Sequence, residues 1–248
     1  MSITNIAEGL VALGEKIQRL YKAGQKSEYD RWWDFIQYNG ELTQYQHCFY
    51  GRSLDDFYPK YDIRPVNATE IFRDTYSEKG NILTQPFDLV ERLNECGVVI
   101  DVSNCTAITY CFYNSPFTRI PTLDMRKAAS TTKFLCLGGK TKKVDKIILT
   151  VEGQSLENFF GYAGEFEDVE IEGTIIENLK IKDCSKMTLA SLASILTALK
   201  DYSGTSNEYK YTVTLHSDLW ARLAEAGATS PNGTTWEEYV ISKGWNIA

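Results

Sequence analysis

Along the middle of the chain an aliphatic or aromatic residue in a strand-like setting is followed, across a polar turn, by a phenylalanine at nearly constant distance. The pairs are Tyr61 and Phe72, Ile100 and Phe112, Leu123 and Phe134, and Ile148 and Phe159, so the spacings are eleven, twelve, eleven and eleven. The strand positions Ile100, Leu123, Ile148 and Ile171 advance by 23, 25 and 23 residues. Recurrence at such a period marks a solenoid, in which no single coil can bury its own apolar side and each must stack on the next. The pattern therefore predicts an α/β chain with short parallel strands. Its repeat core is Phe72, Ile100, Phe112, Leu123, Phe134, Ile148, Phe159 and Ile171, with the rings of Phe112, Phe134 and Phe159 stacked between coils.

The step lies inside the ~20–29-residue period of leucine-rich repeats and short of tetratricopeptide or ankyrin periods. Strands are expected at Val98 to Val102, Ile147 to Val151, Val169 to Ile171 and Leu179 to Ile181, with Asn104 and Asn114 bonding free backbone groups at the corners. Phe49 lies 23 residues before Phe72, so the segment from Leu42 to Pro65 keeps the repeat phase and reads as a cap. One helix, PFDLVERLNECG, interrupts the period: Pro86 suits its first turn, Phe87, Val90 and Leu93 share a side, and Gly97 suits a left-handed stop.

The ends follow other periods. Ile3, Ile6, Leu10, Leu13, Ile17 and Leu20 recur at alternating intervals of three and four, the a/d seam of a coiled coil. So narrow a seam fits self-association, and packing on the chain's own cap is the alternative. Ile and Leu are mixed at both positions, so geometry does not choose between dimer and trimer. After Cys184 the stretch TLASLASILTALK places Leu189, Leu192, Ile195, Leu196 and Leu199 on one broad apolar side of a helix. An alternating strand follows with Val213 and Leu215; Ser217 then N-caps DLWARLAEAG, Thr235 opens WEEYVISKG, and Trp245 and Ile247 close the chain as a short strand. The expected organisation is a helical oligomerisation segment at 1–40, a cap and first repeat at 41–97, a repeat array at 98–187 and a closing α/β unit at 188–248.

Composition narrows the function classes. The net charge of -7 and scattered basic residues argue against nucleic-acid binding, which needs a dense Lys/Arg patch. Six cysteines form no CxxC pair and only His47 and His216 stand beside them, so neither a metal nor another cofactor is expected. No basic segment precedes an apolar run at the start, and nowhere do eighteen apolar residues follow one another, so neither export nor membrane insertion is expected. The cysteines then read as buried thiols of a protein made in a reducing cytoplasm.

Catalytic signals are poor. LGGKT at 137–141 mimics the end of a phosphate-binding loop, yet the first glycine of that motif falls on Phe134. There is no GxSxG, and neither histidine sits in a triad or HExxH setting. Glu165, Glu167, Asp168, Glu170 and Glu172 hold enough carboxylates for a glycosidase pair, but they alternate with Phe166, Val169 and Ile171 as a solvated strand side does. No catalytic residue is assigned.

The coil IDVSNCTAITYCFYNSPFTRI, the stretch PKYDIRP and the ending GTTWEEYVISKGWNI together resemble the BspA-type leucine-rich-repeat proteins encoded by tailed phages and prophages of gut bacteria. The chain departs from a typical array in having few complete coils and lacking the usual AFxxC core. The resemblance implies a non-enzymatic structural or receptor-binding component of a tail, baseplate or fibre. Its location would be the virion and its partners other tail proteins and a host-surface glycan or protein, with self-association, as a trimer, through the N-terminal helix. The alternative is a bacterial adhesin or glycan-binding module, whose 15 tyrosines and 5 tryptophans would stack on sugars.

Overall fold

The computed structural model describes residues 45, 48–77, 86–128, 137, 139–161 and 163–248. The a/d seam from Ile3 to Leu20, and Phe134, lie outside the described residues.

The backbone of the described residues is a mixed α/β arrangement whose strands all pair in parallel. The elements are β1 (Phe87–Asp88), α1 (Leu89–Cys96), β2 (Phe117–Ile120), β3 (Leu123–Asp124), β4 (Lys143–Val144), β5 (Ile147–Ile148), β6 (Ile171–Glu172), β7 (Leu179–Ile181), α2 (Leu189–Thr197), β8 (Thr212–Leu215), α3 (Ser217–Glu225), α4 (Trp236–Ser242) and β9 (Asn246–Ile247). Three sheets of three strands run in the orders β1-β2-β4, β3-β5-β6 and β7-β8-β9. Among the described residues, the segments between strands are turns and short helices, and their buried apolar side chains join one core.

Register is plainest in the middle sheet. Leu123 lies opposite Ile147, and Ile147 opposite Ile171, two steps of 24 residues. The sequence pattern had placed Ile148 at that position, and the structure corrects it by one. Ile147 and Leu149 are fully buried while Ile148 is only half-buried, because successive strand side chains alternate across the sheet and Ile148 falls on the outer side, opposite Asp124 and Glu172. Ile171 is likewise half-buried, with Val169 pointing inward in its place. Ile100 is buried but bridges Ile63, 37 residues earlier, so the step is longer where α1 is inserted.

On either side of α1 in the chain, turns are stacked rather than strands. Segments around Phe49, Phe72 and Phe112 lie one above another: Phe49 N donates to Ile71 O (2.9 Å), Gly51 N to Arg73 O (3.0 Å), Phe72 N to Cys111 O (2.9 Å) and Asp74 N to Tyr113 O (3.0 Å). Each segment carries a left-handed residue two places after its phenylalanine: Gly51 (φ 64°), Asp74 (φ 56°) and Asn114 (φ 51°). Gly, Asp and Asn are the residue types that tolerate that conformation. The Phe49 and Phe72 rings stack with centroids 5.0 Å apart and planes at 20°, and those of Phe72 and Phe112 at 5.8 Å and 11°. The stack expected of Phe112, Phe134 and Phe159 is thus corrected: Phe112 stacks with Phe72, and Phe72 with Phe49. Phe159 is buried elsewhere, against Phe160.

The helix expected from Pro86 begins later. Phe87 and Asp88 are strand β1, parallel to β2, and Asp88 is the N-cap whose carboxylate accepts from Glu91 N (2.9 Å); Gly97 ends α1 with φ 67° as expected. Its buried residues are Leu89 and Leu93. His216, not Ser217, caps α3, while Thr188 caps α2 and Thr235 caps α4 with a full capping box to Glu238. Strand β2 had no signal in the repeat phase.

Gly173 follows β6 with φ 98°, and a Cβ there would lie 2.4 Å from the Leu149 carbonyl oxygen of the strand beneath. Gly173→Ala should therefore lose about 2–4 kcal/mol, from left-handed strain together with a backbone clash. A denaturant titration measures it. A loss below ~0.5 kcal/mol would show that the two backbones are not so close.

Candidate functional site

Three groups of side chains have the chemistry of a site. The first is the acidic series singled out in the sequence. Each member meets a lysine from a neighbouring segment: Glu165 with Lys186 (2.6 Å), Glu167 with Lys142 (3.7 Å), Asp168 with Lys143 (2.7 Å), and Glu170 and Glu172 with Lys146 (2.9 and 2.7 Å). Arg119 and Asp145 add a bidentate pair between adjacent strands. These carboxylates form a cross-strand ion-pair ladder on a solvated side, a structural arrangement that leaves no carboxyl in the apolar setting a general acid needs. Asp168 is the best tied, since its other oxygen accepts from Ser191 Oγ (2.8 Å), which itself accepts from Val169 N (2.8 Å).

The hydrogen bonds from Lys143 and Ser191 hold the Asp168 carboxyl below the usual carboxylate range, as Arg126 does for Asp124 and the Ser103 hydroxyl and amide do for Asp101. A carboxyl depressed in the folded state contributes stability that is complete above its unfolded value and is lost as pH falls through the folded one. The melting temperature should therefore be flat above about pH 5 and drop below about pH 4. Asp168→Asn should flatten the acid limb; an acid limb unchanged in that variant would remove Asp168 from the explanation.

The second group is an outward column on the stacked turns. The residue after each stacked phenylalanine is Tyr50, Arg73 or Tyr113, and the Arg73 guanidinium lies 5.8 Å from the Tyr50 ring centroid, 5.5 Å from that of Tyr113 and 5.1 Å from that of Tyr110. Glu70 and Asp74 pair with the same arginine at 2.6 and 3.3 Å. Tyr50 is 43% exposed. Nearby chemistry of the same kind recurs where Arg92 covers the ring of Tyr58 at 4.0 Å. This column was missed in the sequence, although its signal is visible once the phenylalanines are aligned: Phe49-Tyr50-Gly51, Phe72-Arg73-Asp74 and Phe112-Tyr113-Asn114.

The third is a cleft of about 370 Å³ at the junction of α3 and α4, walled by Trp220, Leu223 and Trp236 and by the turn from Gly227 to Thr235, with Glu237 and Glu238 at the α4 end. The indole Nε1 atoms of Trp220 and Trp236 are both shut off from solvent without a hydrogen-bond partner. Trp236 as a whole is 5% exposed. Glu238 is occupied by the capping box, whereas Glu237 is exposed and makes no ion pair among the described residues. The sequence reading used these tryptophans only as composition.

Burial pushes the Cys48 thiol up to about 11 and that of Cys184 up to about 12, which disfavours the reactive thiolate at both. Among the described residues no group of three His, Cys, Asp or Glu is placed to hold a metal ion, and no helix is long and apolar enough to cross a membrane. Of the sequence-nominated core, Phe72 and Phe112 come into contact and Leu123 lies in register with Ile147, while Phe159 sits apart from that stack. No family model, curated protein or solved structure matches the chain.

Proposed function

We propose that this chain is a non-enzymatic structural or receptor-binding component of a bacteriophage tail, built as a short leucine-rich-repeat-like solenoid. The observation that carries the repeat reading is the constant parallel register from Leu123 to Ile147 to Ile171, supported by the stacked rings of Phe49, Phe72 and Phe112. Coils stacked in this way present their turns as a continuous outer surface, and such surfaces favour macromolecular partners. The Tyr50, Arg73, Tyr110 and Tyr113 column supplies the residue types that dominate protein recognition, held in place from beneath by the phenylalanine stack. The carboxylates that a hydrolase would use are engaged by lysines. The place in a baseplate or fibre, the virion partners and assembly through the Ile3 to Leu20 seam follow from the resemblance and from that seam's a/d spacing.

Immunogold labelling with an antibody to this chain should decorate the tails of purified virions. Label found only in host lysate, never on particles, would overturn the tail placement. Purified protein incubated with host cell wall or capsule should release no soluble sugar or peptide; turnover abolished by replacing Glu165, Glu167 or Glu170 would overturn the non-enzymatic reading.

A further inference from the structure

We infer that the outward column on the stacked turns docks a basic segment of a partner protein, whose lysine or arginine side chain lies against the Tyr50 ring and pairs with the Asp74 carboxylate. The inference rests on reading that column as a recognition surface and is independent of the tail placement, which virion labelling tests by itself.

Composition singles out this part of the chain. Between 45 and 126 there are six arginines and two lysines, whereas from 127 to 248 there are one arginine and twelve lysines. Arginine and tyrosine are enriched at protein interfaces and lysine is depleted there, since a planar guanidinium or a phenol ring covers area with little conformational freedom to lose. In the second stretch Lys142, Lys143, Lys146 and Lys186 serve the ion-pair ladder. In the first, arginines lie among tyrosines: Arg73 is within 6 Å of three rings, and Arg92 covers Tyr58, which is 52% exposed.

Backbone strain points to the same place. Glu70 and Tyr110 are held at φ 55° and 54°, a left-handed conformation that Asn and Asp tolerate and that Glu and Tyr rarely adopt. Both reach Arg73, Glu70 through a hydrogen bond of 2.6 Å and Tyr110 with its ring centroid 5.1 Å from the guanidinium. Strain of this kind gathers at ligand-contacting positions.

The chemistry of the column selects its partner. Arg73 gives its close hydrogen bond to Glu70, while its Nε lies 3.3 Å from Asp74 without bonding it. Asp74 instead accepts from two neutral donors, the Asn114 side-chain amide (2.7 Å) and the Tyr50 hydroxyl, and its side chain is 30% exposed. An exposed ring and an exposed carboxylate therefore stand side by side. A cation on a flexible aliphatic stem uses both, laying the stem along the ring and the charge beside the carboxylate. A polyanion is disfavoured, because Arg64, Arg73 and Arg126 are each paired with a carboxylate. The column is the outer surface of stacked turns, which suits a protein segment, whereas small-molecule sites are concave.

The test uses the full ¹⁵N-labelled chain and three capped pentapeptides, identical except for a central arginine, glutamine or glutamate, each titrated to ~10 mM, above the ~1 mM range of weak recognition. The arginine peptide should move the backbone amides of Tyr50, Arg73 and Asp74 and the Asn114 side-chain amide in a saturable manner, and less strongly as salt is raised. Asp74→Asn keeps a residue type that tolerates φ 56° and removes the charge, and should weaken binding about fivefold. Tyr50→Ala, at an exposed position, should weaken it about threefold. Glu172→Gln in the ion-pair ladder should leave it unchanged. The inference is overturned if the arginine peptide moves none of these signals, if the glutamine or glutamate peptide moves them as strongly, or if Asp74→Asn binds as the wild type does. Equal weakening by Glu172→Gln and Asp74→Asn would also overturn it, as a general attraction of an acidic chain for cations. Choline chloride bound at the column as tightly as the arginine peptide would overturn the protein segment in favour of a small cation.

Discussion

Phe72→Ala should cost about 3–5 kcal/mol, among the largest effects available to a single side chain in this protein. The ring is fully buried and touches four others: it stacks on Phe49 (5.0 Å) and Phe112 (5.8 Å) and meets Phe57 (5.6 Å, 87°) and Phe117 (5.3 Å, 87°) edge to face. Truncation removes the transfer energy of the ring and leaves a void between segments that are also tied by backbone hydrogen bonds, so collapse around the void is limited. At about 2–4 °C per kcal/mol for a chain of this size, the melting temperature should fall by roughly 6–20 °C. Tyr50→Ala, one position after Phe49 but exposed, should cost under about 1 kcal/mol. Equal effects of the two replacements would contradict the stacked arrangement of the turns.

Trp245→Ala should be of similar size, about 3–5 kcal/mol, at the other end of the molecule. Trp245 is fully buried, its ring lies 5.8 Å from Tyr202 and 5.9 Å from Tyr211, and its Nε1 bonds Lys200 O. It stands immediately before β9, whose Asn246 and Ile247 pair with Thr212 and Val213. Lys243, two residues before Trp245, donates through Nζ to Thr197 O (2.8 Å) and Leu199 O (2.6 Å), carbonyls at and just after the end of α2. The last turn of the chain therefore holds two elements together. Trp245→Phe should recover most of the packing but leave Lys200 O without its donor, so its loss should be smaller, about 1–3 kcal/mol. Thermal melts of both variants check the ordering, and a Phe variant as unstable as the Ala variant would mean that the hydrogen bond outweighs the ring.

The mixed α/β character with short parallel strands was legible because apolar positions recur at regular spacing in the sequence. The spacing placed Phe72 and Phe112 in one core, where they are in contact, but the ring stack expected of Phe112, Phe134 and Phe159 is made by Phe49, Phe72 and Phe112 instead. The helix stops at Gly97 and Gly244, the cap at Thr235 and the short final strand were likewise readable, since each depends on a few local residues. What failed was fine register. In IILTV the apolar run is continuous, so alternation is not written in the residue types, and only the pairing to Leu123 shows that Ile147 rather than Ile148 faces inward. The start of α1 failed for a related reason: Pro86 and Phe87 suit a first helical turn, but pairing of Phe87 with Phe117 holds the segment extended. The two candidate surfaces were invisible for different reasons. The Tyr50, Arg73 and Tyr113 column requires the coils to be aligned first, whereas the orphaned N–H groups of Trp220 and Trp236 are a property of packing alone.

The repeat register is best tested by amide exchange and cross-strand nuclear Overhauser contacts in the middle sheet. Met125 N donates to Ile148 O and Leu149 N to Glu172 O, both at 2.8 Å, while Leu123 N and Ile147 N donate to Lys146 O and Glu170 O at 2.8 Å. All four amides should exchange slowly, and contacts should link Leu123 with Ile147 and Ile147 with Ile171. Rapid exchange of these amides, or contacts that place Leu123 opposite Ile148, would contradict the parallel stack on which the fold and the proposed function rest.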